Sequence, residues 1–188
     1  MEILPVAYWR NGDFDKAITH YENIIKGLSK KDTTEYIYYS SLGDLYHEKG
    51  NLKKTYSCYN KALKIKPDYN PVLNNYAYFL CLEGKDLKKA AKMSKKTILS
   101  EPDNPTYLDT YAWILYQMKE YQEAKNYIKR AMIYGGSDDA TLLDHYAEIL
   151  FALKEYDLAF IYWDQADKKD PSLGLGAKIK ERRLQMKK

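Results

Sequence analysis

A chain of 188 residues, 45% hydrophobic and 30% charged, is long enough to bury a core as one compact unit. No stretch approaches the roughly 18 apolar residues of a membrane-crossing helix, and the opening MEILPVAYWR lacks the basic segment and long apolar run of a signal peptide. The net charge of +4 is small, so where the charges sit tells more than their sum, and the two cysteines, Cys58 and Cys81, stand in neither a CxxC pair nor metal-ligand spacing and read as free, buried thiols.

Taken in chain order, apolar residues recur every three or four positions, the helical period, in pairs of segments about fourteen residues long. Residues 1–34 carry a degraded unit with room for barely half a helix before Asn11-Gly12, followed by Phe14, Ala17, Tyr21 and Ile24. The chain is therefore expected to begin inside a repeat, as a piece of a longer array or a truncated cap. Residues 36–69 place Leu42, Gly43 and Tyr46 on a first helix and, past Gly50, Leu52, Thr55, Tyr59 and Ala62 on a second. In residues 70–104 the pair Asn70-Pro71 marks a helix start, a capping amide before a first-turn proline, and the Gly84-Lys85-Asp86 bend separates the halves. Asn104-Pro105 opens residues 105–138 in the same way, and residues 139–172 repeat them. At an offset of 35, Leu108, Asp109, Tyr111, Ala112, Ile114, Leu115, Lys119, Glu120, Tyr121, Ala124 and Ala131 recur as Leu143, Asp144, Tyr146, Ala147, Ile149, Leu150, Lys154, Glu155, Tyr156, Ala159 and Ala166. Eleven identities at one offset make this an internal repeat. Residues 174–188 form a last helix that is expected to lay Leu175, Ile179 and Met186 on the final repeat and to turn Lys178, Arg182, Arg183 and Lys187 toward water.

The columns have a steric logic. Gly43, Ala77, Ala112 and Ala147 on first helices, with Thr55, Ala90, Ala124 and Ala159 on second helices, are small, so that paired backbones can approach to about 8 to 10 Å. Tyr111, Leu115, Tyr121 and Ile128 then read as packing between helices. A repeat of 34 to 35 residues with a bulky-small pair on its first helix, aromatic-x-x-Ala opening its second, a late alanine and the closing prolines Pro67, Pro102 and Pro171 resembles the tetratricopeptide repeat. The resemblance covers residues 1–171, strongest over 105–171, and departs at Ser94 and Thr97, where looser packing is expected. RNA-binding pentatricopeptide repeats have a similar length, but the Gly43/Ala77/Ala112/Ala147 column and the prolines fit them less well. LNNYAYFL and PTYLDTYAWILY further resemble bacterial tetratricopeptide proteins of the cell envelope.

The resemblance implies an all-α fold, an α-solenoid: one right-handed superhelix over residues 1–188, with about four full helix-turn-helix repeats, a partial N-terminal one and a C-terminal capping helix. It also implies that first helices line a concave groove that binds peptides or partner proteins. Carried onto this chain, the groove face gives Asp44, Tyr78, Trp113 and Glu148 as one column. Asn74, Asp109 and Asp144 lie beside it, then Asn75, Thr110 and His145, then His47 and Tyr116. Trp113 and Tyr116 are the expected aromatic anchors, whereas Tyr111 and Tyr121 should be buried. Asp44, Glu48, Glu83, Asp109, Asp144 and Glu148 lie on first helices with little basic company, while Lys88, Lys89, Lys92, Lys95 and Lys96 crowd one second helix. The groove is thus expected to be acidic and its partner to offer lysine, arginine or a free amino terminus, with cation–π help from Trp113. The competing reading is that these carboxylates only solvate an empty groove.

A branch of the family grips the C-terminal carboxylate of chaperones with lysine, asparagine and arginine. Here those places hold Ser40 and Asp44, Asn75, then Thr106 and Thr110, so only Asn75 matches and a chaperone-tail clamp is not expected. The alternative function is binding of an anionic partner, nucleic acid or a membrane surface, through the lysine-rich second helix and the tail AKIKERRLQMKK. Only four arginines and no nucleic-acid module accompany it. An enzyme is weaker still: His20, His47 and His145 fall in different repeats, and neither GGSDD nor SLGLG has phosphate-loop spacing. No catalytic residue, metal or cofactor is expected. The location reads as cytoplasmic for this sequence, and as the bacterial cell envelope should a parent chain carry an upstream export signal.

Overall fold

A computed structural model describes residues 3–29 and 32–185. Eleven α-helices and two short 3-10 turns account for the secondary structure of these residues, with no strand among them. The helices are α1 (Ile3–Arg10), α2 (Phe14–Gly27), α3 (Glu35–Glu48), α4 (Leu52–Ile65), α5 (Asn70–Leu82), α6 (Leu87–Ser100), α7 (Pro105–Gln117), α8 (Tyr121–Ile133), α9 (Ala140–Ala152), α10 (Tyr156–Lys169) and α11 (Leu175–Gln185). Helices α3, α5, α7, α9 and α11 begin 35 residues apart, so the last of them keeps the period of the first helices. Met186 and Lys187, expected on the terminal helix, lie outside the described residues. Two compact units divide the chain, one running to Tyr76 and one from Ala77, with the boundary inside α5.

Local chemistry explains the punctuation. Asn51, Asp86, Asn104 and Asp139 each accept a backbone N–H of the next helix's first turn through their side chains, which satisfies donors that have no partner inside the helix. Between the helices of the pairs from α3 to α10 the chain turns through a left-handed residue, Gly50 (φ 68°), Gly84 (φ 63°), Lys119 (φ 67°) or Lys154 (φ 65°), and Asp86 (φ 43°) adds a second in the α5–α6 turn. The following N–H reaches back across the turn, Asn51 to Tyr46, Lys85 to Leu80, Glu120 to Leu115 and Glu155 to Leu150, at 2.8 to 2.9 Å. Lysine at two of these positions carries the steric cost of a Cβ that glycine avoids, on the order of 1 kcal/mol each.

In the first unit Ala17, Ile18, Tyr21, Leu42, Leu45, Tyr46 and Cys58 form the core. In the second, Leu108, Ala112, Leu115, Ala124, Ile128, Leu143, Ala147, Leu150, Ala159 and Trp163 form one continuous cluster that also takes Leu175 and Ile179 from α11. Ala77, Ala112, Ala147, Ala90, Ala124, Ala159 and Thr55 are all fully buried, which is what close helix contact requires of those columns. Tyr111 is buried as expected, but Tyr121 is only half-buried, tilted against Tyr116 at 5.5 Å. Cys58 and Cys81 are free and buried. Ser94 sits fully buried in the column that holds Ile128 and Trp163 in later repeats, and its hydroxyl has no hydrogen-bond partner.

Candidate functional site

In the second unit, helical spacing puts Trp113 and Tyr116 on one face of α7, three residues apart, and their rings stack at 4.7 Å. His145 of α9 also stacks on the Trp113 ring, at 4.0 Å, and Tyr78 is tilted toward His145 at 6.4 Å. The His145 Nδ1 lies 2.9 and 3.1 Å from the two carboxylate oxygens of Asp109, which orients the ring. His145 and Thr110 are buried, and the indole N–H of Trp113 is buried with no partner. This is an aromatic wall braced from behind.

One turn of α9 further on, the wall meets charge. Glu148, only 6% exposed, accepts hydrogen bonds from the Tyr116 hydroxyl at 3.3 Å and the Arg182 guanidinium at 2.9 Å. Lys178 of α11 stands 3.3 Å from Glu148 and also pairs with Asp144. Asp144 in turn accepts the indole N–H of the fully buried Trp163 at 2.8 Å. Arg182 lies over the Phe151 ring at 4.9 Å and Lys178 over Trp163 at 5.8 Å, so both cations sit on aromatic faces. Burial, reinforced by the neighbouring Glu148 charge, pushes the Tyr116 hydroxyl up to about 12; burial and then Asp109 do the same to Tyr78. Both therefore stay protonated donors at neutral pH.

The first unit holds a smaller polar cluster. Asp44 accepts from the Tyr59 hydroxyl and, at 3.1 Å, from the Asn75 amide, while buried Asn74 donates to Asn75 at 3.4 Å and leaves its own carbonyl oxygen without a partner. His47 is half-buried one turn beyond Asp44 on α3. Burial is the largest influence on Asp44 and raises its carboxyl above the ordinary 3.8, against the two hydrogen bonds that lower it.

That direction sets a pH dependence. A carboxyl whose folded pKa is raised contributes stability that is fully present below about pH 3.8 and is lost as pH rises through the folded value. Asp44→Asn, which cannot ionise, should therefore gain stability relative to the unsubstituted protein as pH rises from about 4 to 7. Urea unfolding at several pH values reads this; a relative gain that shrinks with pH would mean that Tyr59 and Asn75 favour the carboxylate form.

Tyr78, Asp109, Trp113, Tyr116, Asp144, His145 and Glu148 thus come together in one network of the second unit, and Asp44, Asn74 and Asn75 in one cluster of the first. Two expectations need correction. The carboxylates do not lack basic company, because Lys178 and Arg182, expected to face water, are held by Asp144 and Glu148 at 31% and 29% side-chain exposure. Thr110, His145 and Glu148 are buried members of the wall rather than its open surface, and Asn74 is buried in the first unit's cluster. Trp163, Tyr59, Lys178 and Arg182 were missed as partners of these carboxylates. The signal for the last two was the period itself, since α11 begins one period after α9. Among the described residues no cluster of three His, Cys, Asp or Glu could hold a metal ion.

Paired helices repeating at a constant step define an α-solenoid of helical hairpins. The tetratricopeptide-repeat model matches residues 36–69, and the model described as anaphase-promoting complex, cyclosome, subunit 3 matches residues 83–162. Residues 36–69 thus carry a tetratricopeptide repeat, and the chain resembles that family. It is 38% identical over 66 residues to the mitochondrial import receptor subunit TOM70 of Saccharomyces cerevisiae, a match that takes in 35% of this chain and 10% of the receptor. The structure is similar to that of PilW, a type IV pilus biogenesis factor, at a TM-score of 0.77 and 18% identity, covering 98% of this chain and 90% of that one. A thermophilic tetratricopeptide-repeat protein of Thermus thermophilus aligns at a TM-score of 0.72 and 18% identity, covering 97% of each chain. At these identities the structural likeness speaks for the fold alone.

Proposed function

We propose that this chain, whose repeats support a general role as a protein–protein interaction scaffold, binds a basic peptide or protein segment on the acidic, aromatic face built by Trp113, Tyr116, Asp144 and Glu148. One observation carries this reading: the face already holds a lysine and an arginine of this chain, each paired with a carboxylate and laid over an aromatic ring. Charge-assisted hydrogen bonds combined with ring faces recognise such groups better than either alone. Asp109 acts behind the wall, holding His145 against Trp113, and so positions the surface without touching the partner.

Repeats of this kind serve generally as non-enzymatic scaffolds, and nothing in this site calls for a reacting group. The lysines of α6 stay exposed, which solvation explains without a partner. Fluorescence anisotropy with helical peptides carrying Lys and Arg one turn apart, and with matched peptides carrying Glu in their place, tests the reading. Only the basic peptides should bind, and Asp144→Asn combined with Glu148→Gln should weaken them at least tenfold, as loss of two charge-assisted bonds implies. Equal binding of acidic and basic peptides would overturn it.

A further inference from the structure

We infer that α11 is a tethered competitor, occupying in cis the surface on which a partner's basic helix docks, so that the protein regulates its own site. The inference rests on the reading above and adds the form of the partner and the means of control. Helix α11 starts one period after α9, where a further first helix of the array would start. Its residues do not suit that place. Arg182 falls in the column of Gly43, Ala77, Ala112 and Ala147, and Lys178 in that of Leu108 and Leu143, so charges replace the small and apolar residues that let a second helix pack. Those charges instead bind Asp144 and Glu148.

The hold is specific but thin. Leu175 and Ile179 are the only buried residues of α11, Leu184 is exposed, and a helix of 11 residues has little stability of its own in water. Its departure would leave Asp144 and Glu148 without the two cations that pair with them. Another source of cations is therefore the replacement that this surface favours. The occupant it fits is an amphipathic helix with apolar residues at the spacing of Leu175 and Ile179 and cations at that of Lys178 and Arg182, each pair one turn apart. While α11 is in place, apparent affinity for such a helix falls by the fraction of molecules that are open.

The full chain and its Lys178→Glu, Arg182→Glu variant are titrated into a fluorescein-labelled peptide of residues 174–185, with unchanged far-UV circular dichroism as the check on folding. The milder Lys178→Gln, Arg182→Gln pair serves if the first does not fold. The variant should bind the peptide about tenfold or more tightly than the unsubstituted chain, and Asp144→Lys added to it should abolish the gain. Equal, Asp144-dependent binding by both chains would overturn the competitor role and leave the basic-partner reading standing. No Asp144-dependent binding by either would overturn both.

Discussion

Trp163→Ala should cost about 3 to 5 kcal/mol, the loss expected when a large aromatic is cut from a core that cannot collapse around the space. Trp163 is fully buried, with Phe151 and Phe160 rings at 5.6 and 5.5 Å, so neither ring can fill the void without leaving its own contacts. The substitution also strips Asp144 of the indole donor, leaving Lys178 as its named partner. Trp163→Phe separates these effects: it keeps most of the volume and removes the hydrogen bond to a carboxylate, worth about 1.5 to 3 kcal/mol. Urea unfolding of the two variants reads the difference. A loss under about 1 kcal/mol for the alanine variant would mean that α10 repacks freely, against the close packing described here.

Gly43→Ala should destabilise the first unit by about 1 to 3 kcal/mol, although alanine is normally the better helix former by about 1 kcal/mol. A Cβ on Gly43 would lie 2.3 Å from Cε1 and 2.5 Å from Cδ1 of Tyr59. Tyr59 is fully buried and its hydroxyl is bound to Asp44, so the ring cannot swing aside without breaking that bond. In a Tyr59→Leu background the penalty should fall by more than half, and the coupling from a double-mutant cycle measures the clash itself. An additive cycle would show that Gly43 serves backbone conformation rather than the approach of α3 to α4.

What could be read without coordinates was whatever the repeat states several times. The alanine column of first helices, the Asn104-Pro105 start and the glycines at Gly50 and Gly84 recur at one period, so each copy corroborates the others, and their steric meaning needs no knowledge of neighbours. Lys119 and Lys154 take the same left-handed turn as those glycines, yet no residue type announces it. Pairings between different columns were less visible still. Asp44 with Tyr59, Asp109 with His145 and Asp144 with Trp163 each join positions whose side chains change from copy to copy. Lys178 and Arg182 were misread for a related reason: a basic helix at a chain end is usually solvated, and only its register against α9 reveals the carboxylates facing it.

The three tryptophans provide the most direct view of the proposed surface, because Trp113 belongs to it, buried Trp163 donates to its Asp144, and Trp9 lies in the other unit. Their indole N–H resonances, followed by 15N-edited NMR as the residue 174–185 peptide is added to the Lys178→Glu, Arg182→Glu variant, test whether a basic helix docks there. Saturable shifts of Trp163, whose N–H is bound to Asp144, and of Trp113, with Trp9 unmoved, are the predicted result. Peptide binding that leaves both Trp163 and Trp113 unshifted would place the partner elsewhere and contradict the site.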